Sequence, residues 1–346
     1  MDHLLEQSLE QLRAWFARRG MPAYRATQLR RWLFQERARS LDAMTDLPRA
    51  AREQLAAEFQ IWTTRVAAHR QSADGTHKLL LELADAQQIE CVLLRDDRQH
   101  LTACISTQVG CGMGCAFCAS GLDGVVRNLT IGEIVEQMLQ LQQWLGGAER
   151  LSHVVVMGMG EPLANLDAVL GALASATAPD ALGISARRVT ISTVGLPGGI
   201  RRLAEMNCQY HLAVSLHAAD DALRSRLIPA NRNVGIAAVL AAADEYFAKT
   251  GRRVTFEYAL LAGVNDRPED ARRLAGLLRG RPSLVNLIPY NPVSGVAFRR
   301  PSPAAVARFA EALTRGGLNV AVRHRKGDRI DAACGQLRRK GLGIRD

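Results

Sequence analysis

The stretch QVGCGMGCAFCASG, residues 108–121, sets three thiols, Cys111, Cys115 and Cys118, within eight positions of a glycine-rich loop. An apolar run near 102–107 precedes it, and a helix follows it, opening on the capping box Thr130-x-x-Glu133. Helical spacing puts Ile134, Val135, Met138, Leu139 and Leu145 on one face, and Gly146-Gly147 is the expected stop. Strand, loop and helix form a unit, and outward from it the unit repeats. Strands are predicted at 153–157, 188–193, 211–216, 253–260, 284–289 and 318–323, with helices between several of them, one from Ser302-Pro303 to Gly316-Gly317. Repeated βα units with near-continuous apolar strands imply an α/β fold, a parallel sheet covered by helices. Gly160-Glu161, Ser192-Thr193, Ser215-Leu216-His217 and Asn291 fall at or just past strand C-termini, where β/α barrels carry their sites. Four strand ends converging on one ligand favour barrel-like curvature over a single switch-point crevice.

Upstream the period changes. Residues 1–60 read as helices, with apolar positions at Leu9, Leu12, Trp15 and Phe16, then at Leu29, Trp32, Leu33 and Phe34, and Pro48 stands at a helix start. Residues 78–83 and 89–94 are short β-type runs bounded by Ala73-Asp74-Gly75 and Asp96-Asp97. The chain has 346 residues, 48% hydrophobic and 23% charged, enough for a large domain plus an accessory one. Disordered and fibrous classes are excluded. With no run of eighteen apolar residues and no basic-then-apolar N-terminus, a soluble cytoplasmic protein without a membrane partner is expected. Of 44 basic residues, 40 are arginine. Residues 321–346 carry net +5 and residues 1–66 net +3, the excess that phosphate-backbone binding needs, although solvated faces would look the same. Arg25, Arg30 and Arg31 would hold such a backbone, while Trp15, Trp32 and Phe34 read as core.

An odd count of seven cysteines argues against a disulfide framework and for metal or catalytic thiols. Three close thiolates on flexible backbone suit an iron–sulfur cube with one iron left open. Structural zinc, which usually takes a second ligand pair, stays an alternative on the residues alone.

The cysteine spacing, with Phe117 before the last thiol and a capped helix after it, resembles the radical S-adenosylmethionine (SAM) enzymes. Further segments make the resemblance narrower: VVMGMGEPLAN (155–165), VTISTVG (189–195), LAVSLHA (212–218), LLAGVND (260–266), NLIPYNP (286–292) and DRIDAACGQL (328–337) look like those of the RlmN-type adenosine-C2 RNA methyltransferases. YRATQLRRWLFQ (24–35) and MTDLP (44–48) resemble that family's accessory domain.

The resemblance implies a partial (β/α)6-type TIM barrel. Its parts would be a helical accessory domain at 1–62, a β-rich linker at 63–100, the barrel at 101–325 and a basic C-terminal segment at 326–346. It implies one 4Fe–4S cluster held by Cys111, Cys115 and Cys118, shielded by Phe117, with SAM on the fourth iron. Gly160 and Glu161 would hold the methionine amino group. Ser192, Ser215, Leu216, His217 and Asn291 would line SAM's ribose, carboxylate and adenine.

Two SAM molecules would serve each turnover. Cys334 takes a methyl from the first by displacement. The second yields a 5′-deoxyadenosyl radical that abstracts hydrogen from that methyl, and the resulting methylene radical adds to adenine C2. Cys104 would resolve the covalent RNA adduct through a transient disulfide, and Glu90 would accept the C2 proton. Arg323, Arg325, Lys326 and Arg329 supply charge near Cys334. Cys91 and Cys208 match no role and read as small core residues.

The implied substrate is adenosine 2503 in the peptidyl-transferase region of 23S rRNA, with an adenosine beside the tRNA anticodon as a second. The base must be unstacked to be reached, and a flavodoxin or ferredoxin would donate electrons. Only twelve residues follow Cys334, fewer than in some members, which bears on tRNA contacts. Three alternatives stand beside this reading: a Cfr-type C8 methyltransferase sharing the cysteines, a non-catalytic zinc-containing RNA-binding protein, and a SAM-radical activase acting on protein.

Overall fold

The structure, a computed structural model, describes residues 1–206, 208–323, 327 and 330–338. Its first sixty residues form a helical module. Strand β1 (Asp2–His3) pairs in parallel with β2 (Phe59–Gln60), and between them lie α1 (Leu9–Ala17), α2 (Arg25–Phe34) and α3 (Arg49–Glu58). Ser8 and Gln11 cap α1 reciprocally, and its Leu12, Trp15 and Phe16 bury against Leu29, Leu33, Phe34 and Leu55. Trp15 and Phe34 are core, as expected. Arg30 is not free to hold RNA: it is 5% exposed, and its Nε lies 2.6 Å from an Asp180 carboxylate oxygen. Its place on the inward face of α2 decides this, since the sequence shows only a basic segment.

The sheet begins with an antiparallel meander, β3 (Arg65–Gln71), β4 (His77–Glu82), β5 (Gln88–Arg95) and β6 (Leu101–Cys104). β7 (Gln108–Gly110) and β8 (Val125–Asn128) form a hairpin around the cysteine loop. Next come α4 (Ile131–Gln142), β9 (His153–Val156), α5 (Leu166–Thr177), β10 (Val189–Thr193), α6 (Pro197–Glu205) and β11 (His211–Ser215). The chain continues through α7 (Asp221–Leu227), α8 (Ile236–Thr250), β12 (Val254–Leu260), α9 (Pro268–Leu278), β13 (Ser283–Pro289), α10 (Pro303–Arg315) and β14 (Asn319–Val322).

One ten-stranded sheet runs β14-β13-β12-β11-β10-β9-β6-β5-β4-β3. From β6 to β14 neighbours are parallel, so six βα steps lead to a seventh parallel strand, as the expected partial six-unit barrel requires. The sheet stays open, with β14 and β3 at its edges. It curls nonetheless: Arg323, just past β14, reaches Met157 Sδ, just past β9, at 3.8 Å. The β-rich segment continues this sheet from the β6 edge.

The capping box of α4 forms as read, but the helix ends at Gln142, four residues before Gly146. Arg37 donates to the carbonyls of Gln142 and Leu145 at 3.1 and 3.3 Å, satisfying helix-end acceptors that a glycine cap would otherwise serve. Helix α4 also docks the N-terminal module. Glu136, whose side chain is fully buried, accepts from the backbone N–H and hydroxyl of both Thr63 and Thr64 at 2.6–3.2 Å.

Candidate active site

The C-terminal ends of β9 to β13 open into one cavity, and the residue following β14 closes its wall. Val156, Ser192, Thr193, Ser215, Glu257, Ala259, Ile288 and Arg323 come from those strand ends, and Cys111, Cys115 and Cys118 from the loop above them. The β7–β8 hairpin fixes the base of that loop. Gly110 has φ +80°, and any side chain there would collide with the Gly124 carbonyl, so only glycine lets the two strands approach. Ala116 N–H donates to Leu227 O at 2.9 Å and Cys118 N–H to Cys115 O at 3.1 Å, setting the turns between thiols.

Burial pushes Cys111 up to about 11 and raises Cys115 and Cys118 as well, so all three stay protonated until a cation offsets the lost hydration. Among the described residues, no three His, Cys, Asp or Glu side chains stand close enough to share a single metal ion. Three thiols around one cavity suit a multi-iron cube, which takes thiolate ligands. Phe117 lines the cavity and meets the His217 ring edge-on at 4.8 Å.

Glu161 is 2% exposed at the cavity wall. One carboxylate oxygen accepts from Leu163 N–H at 3.0 Å and the other from Val194 N–H at 2.8 Å; burial raises its pKa against those bonds. A carboxylate so held invites an ammonium. Gly160 has φ +103°, and a Cβ would stand 2.6 Å from Thr107 Oγ1 and 2.7 Å from Gln108 Cβ. His217, itself at φ +58°, accepts at Nδ1 from Ala259 N–H at 2.9 Å. Burial drives its pKa down to about 3, so the ring is neutral and Nε2 is its donor.

Asn291 donates to the Cys334 carbonyl at 3.3 Å while its Oδ1, buried, has no partner among the described residues; the Tyr290 hydroxyl on the same wall is likewise buried and, among the described residues, unpaired. Two orphaned polar groups beside the thiols await a polar ligand. Ser192 and Ser215 line the cavity, whereas Leu216 does not: it is fully buried, and only its backbone takes part, N–H to Glu257 O and carbonyl to Arg224.

A second cavity adjoins the first. Cys104 and the Asp96-Asp97 turn line it, and Met157, Ile288, Asn291, Arg323 and Cys334 belong to both walls. Cys334 thus stands between the cavities. Burial, then the neighbouring Cys334, raises Cys104 to about 12, with Arg323 opposing. Arg325, Lys326 and Arg329 lie outside the described residues. Glu90 lines neither cavity; it is 2% exposed, 2.8 Å from Lys78 Nζ, and accepts from Arg338 N–H at 2.9 Å. Cys91 is fully buried and Cys208 half-buried, and neither lines either of these two cavities.

Two site residues escape sequence reasoning. Arg224, on α7 among exposed arginines, is 1% exposed and knits the carbonyls of Val194, Ser215 and Leu216, with no signal to mark it. Glu257, held by Asn286 Nδ2 at 2.9 Å, lines the first cavity; a lone carboxylate inside the apolar strand VTFEYAL was its signal.

A curled parallel sheet with a three-thiol loop over its strand ends defines a radical SAM enzyme, and the Radical SAM superfamily profile matches residues 105–275. A second profile, described as Ribosomal RNA large subunit methyltransferase N-terminal domain, matches residues 3–61. A crystal structure described as a radical SAM methyltransferase from Sphaerobacter thermophilus is similar over 98% of this chain and 100% of its own, with TM-score 0.94 and 42% identity. A probable dual-specificity RNA methyltransferase RlmN of Rhodopirellula baltica is 59% identical, covering 98% of this chain and 91% of the relative. One of the same description from Gloeobacter violaceus is 49% identical, covering 98% and 96%. The chain belongs to the RlmN family of radical SAM RNA methyltransferases. No helix of the described residues is long and apolar enough to cross a membrane.

Proposed function

We propose that this chain methylates C2 of adenosine 2503 in 23S rRNA, and the adenosine beside the tRNA anticodon, by a relay through its own cysteine. One observation carries the reading: Cys334 belongs to the walls of both the thiol-ringed cavity and the cavity that holds Cys104. A carrier that must be charged on one side and discharged on the other belongs at such a wall.

When bound, the 4Fe–4S cluster and SAM supply the methyl group and the one-electron chemistry. Cys111, Cys115 and Cys118 hold the cluster; Glu161 holds the methionine ammonium; Ser192, Ser215, His217 and Asn291 orient the rest of SAM, and Leu216 contributes backbone alone. The neutral His217 ring offers a proton at Nε2 without adding charge. The Cys334 sulfur loses its proton and displaces the methyl group from a first SAM; that methyl would give one hydrogen atom to the radical chemistry the bound cofactors supply, its carbon would bond to adenine C2, and the adduct would give up the C2 proton and return one electron. Cys104 next attacks the Cys334 sulfur; the S–C bond breaks, a Cys104–Cys334 disulfide forms, and the carbon keeps the bonding pair and takes up a proton, so that the methylated base leaves and a thiol reductant reopens the disulfide. To accept the C2 proton, Glu90 has to turn out of its contacts with Lys78 and Arg338. A flavodoxin or ferredoxin would be the electron donor.

The test is an anaerobic assay of cluster-reconstituted protein with reductant, SAM and an unmethylated 23S rRNA fragment. Nucleosides are identified by mass spectrometry. 2-Methyladenosine is expected, and its absence from the Cys334→Ala variant; 8-methyladenosine, or no methylated base although SAM is cleaved, overturns the assignment.

A further inference from the structure

Lys78 and Glu90 form a buried ion pair; the chemistry above calls on the Glu90 carboxylate only after it has left that pair, and gives Lys78 no part. Each is 2% exposed, and they stand diagonally across adjacent strands, Lys78 opposite Val92 on β4 and Glu90 opposite Leu80 on β5. Burying two charges is costly, and an apolar pair of similar volume often does as well for stability. The second contact of each partner explains the choice. Lys78 Nζ donates to the Asp331 carbonyl at 3.1 Å, and Glu90 Oε2 accepts from Arg338 N–H at 2.9 Å. One anchor lies three residues before Cys334 and the other four after it.

Asp331 is held at φ +52°, in the left-handed region, so the chain turns there against its preference. Between the anchors, Gly335 O accepts from Ala119 N–H and Leu337 O from Ser120 Oγ, both at 2.7 Å, tying the segment to the cysteine loop. The pair is also keyed to the Glu161 turn: Glu90 O accepts from Ser106 Oγ at 2.6 Å, and the same oxygen of Ser106 accepts from Met159 N–H at 2.8 Å.

We propose that Lys78 and Glu90 are positioning residues, a clasp that holds both flanks of the Cys334 segment and thereby fixes the sulfur at the wall between the two cavities. The clasp rests on the reading of Cys334 as the methyl carrier only for its purpose; its physical claim concerns where that sulfur sits. Reaction geometry at a transferred carbon tolerates little displacement, so loosening the flanks costs rate at the chemical step and leaves RNA binding alone.

The experiment measures alkylation of Cys334 by iodoacetamide in the full-length protein, peptide by peptide, alongside kcat and KM for the RNA fragment. Lys78→Met is expected to speed Cys334 alkylation about tenfold or more, from the loss of a charge-assisted anchor, and to lower kcat at unchanged RNA KM. Lys78→Arg, which still donates to Glu90 and Asp331, restores both. Because Lys78→Met leaves Glu90 buried without a counter-charge, the double variant K78M/E90L is run beside it. It replaces the pair by apolar side chains and is expected to show the same acceleration with a near-native melting temperature. Wild-type alkylation in a folded K78M/E90L variant overturns the clasp. So does a Lys78→Met enzyme with native kcat while Glu90→Gln is inactive, the pattern of a proton acceptor alone. Alkylation needs neither SAM nor RNA, so the clasp can hold where the 2-methyladenosine assignment fails, and the reverse.

Discussion

Arg224→Met tests whether the strand ends that carry the SAM-facing residues are held by one buried guanidinium. In the native protein Nε donates to Leu216 O at 3.1 Å, Nη1 to Asn231 Oδ1 at 2.5 Å, and Nη2 to Ser215 O at 3.0 Å and to Val194 O. Leu216 O also accepts from Ala218 N–H at 2.8 Å, so truncation leaves two or three acceptors without their donor. Each orphaned buried acceptor costs about 1–3 kcal/mol. Against this, burial has already lowered the Arg224 pKa to about 10, so methionine recovers part of the guanidinium's lost hydration. A net loss of about 3–5 kcal/mol follows, the range for breaking a buried charged network. At roughly 2–3 °C per kcal/mol for a chain of this size, melting should fall by about 6–15 °C. The carbonyls of Val194, Ser215 and Leu216, the last in the peptide that leads into His217, lose their common tie, so SAM affinity should fall at least about tenfold. Differential scanning calorimetry and anaerobic equilibrium dialysis against SAM make the two measurements. Arg224→Lys, a point charge without the fork, should lie between. A methionine variant that melts within about 2 °C of wild type, or one destabilised with unchanged SAM affinity, refutes the reasoning.

Gly160→Ala should lose SAM binding and about 1–3 kcal/mol of stability, because the new Cβ meets Thr107 and Gln108 at 2.6 and 2.7 Å in a backbone at φ +103°; native dialysis and melting values would contradict it. His217 has its pKa lowered from 6.5 to about 3, so the unfolded chain binds the extra proton between those values. Stability therefore rises with pH across that window and is lost as pH falls below about 6.5. His217→Gln should flatten that part of a urea-unfolding pH series, and an unchanged slope would rule it out. Glu136→Ala orphans the Thr63 and Thr64 donors and should cost about 3 kcal/mol while leaving SAM binding intact. Limited proteolysis should then nick the chain near residues 60–64, and resistance equal to wild type there would count against the docking role.

The parallel half of the sheet was legible because its inner strands are apolar runs with most residues buried and helices such as α4 and α10 open on a readable cap; the edge strand β14 is largely exposed. Strand β3 was not, since Arg65–Gln71 is an exposed edge whose residues alternate only weakly. The β7–β8 hairpin was hidden for another reason: its pairing depends on the close approach at Gly110 and Gly124, and no residue type encodes that contact. At the site, the cysteine loop and Gly160-Glu161 were legible from spacing and resemblance together. Arg30 and Arg224 were not. A buried arginine and a solvated one are the same letter, and only the inward faces of α2 and α7 separate them. Glu90 shows the converse limit, because the sequence places it on a strand but cannot say that Lys78 and the Arg338 amide already occupy its carboxylate.

The two cavities also bear on the order in which the thiols act. Cys104 is raised to about 12, first by burial and then by the neighbouring Cys334 sulfur, with the Arg323 guanidinium pulling the other way. At neutral pH it is therefore a thiol, a poor nucleophile. Once the Cys334 sulfur carries a methyl group it can hold no negative charge. The second of the two raising influences is then gone, while Arg323 remains. Cys104 is therefore easier to ionise in the loaded enzyme than beside an ionised Cys334. Cys334→Met places a thioether where the methylated cysteine stands in the loaded enzyme. It should move the pH midpoint of Cys104 alkylation downward from the wild-type profile. An unmoved midpoint would mean that burial alone governs Cys104 and that the order of the two thiols is set elsewhere.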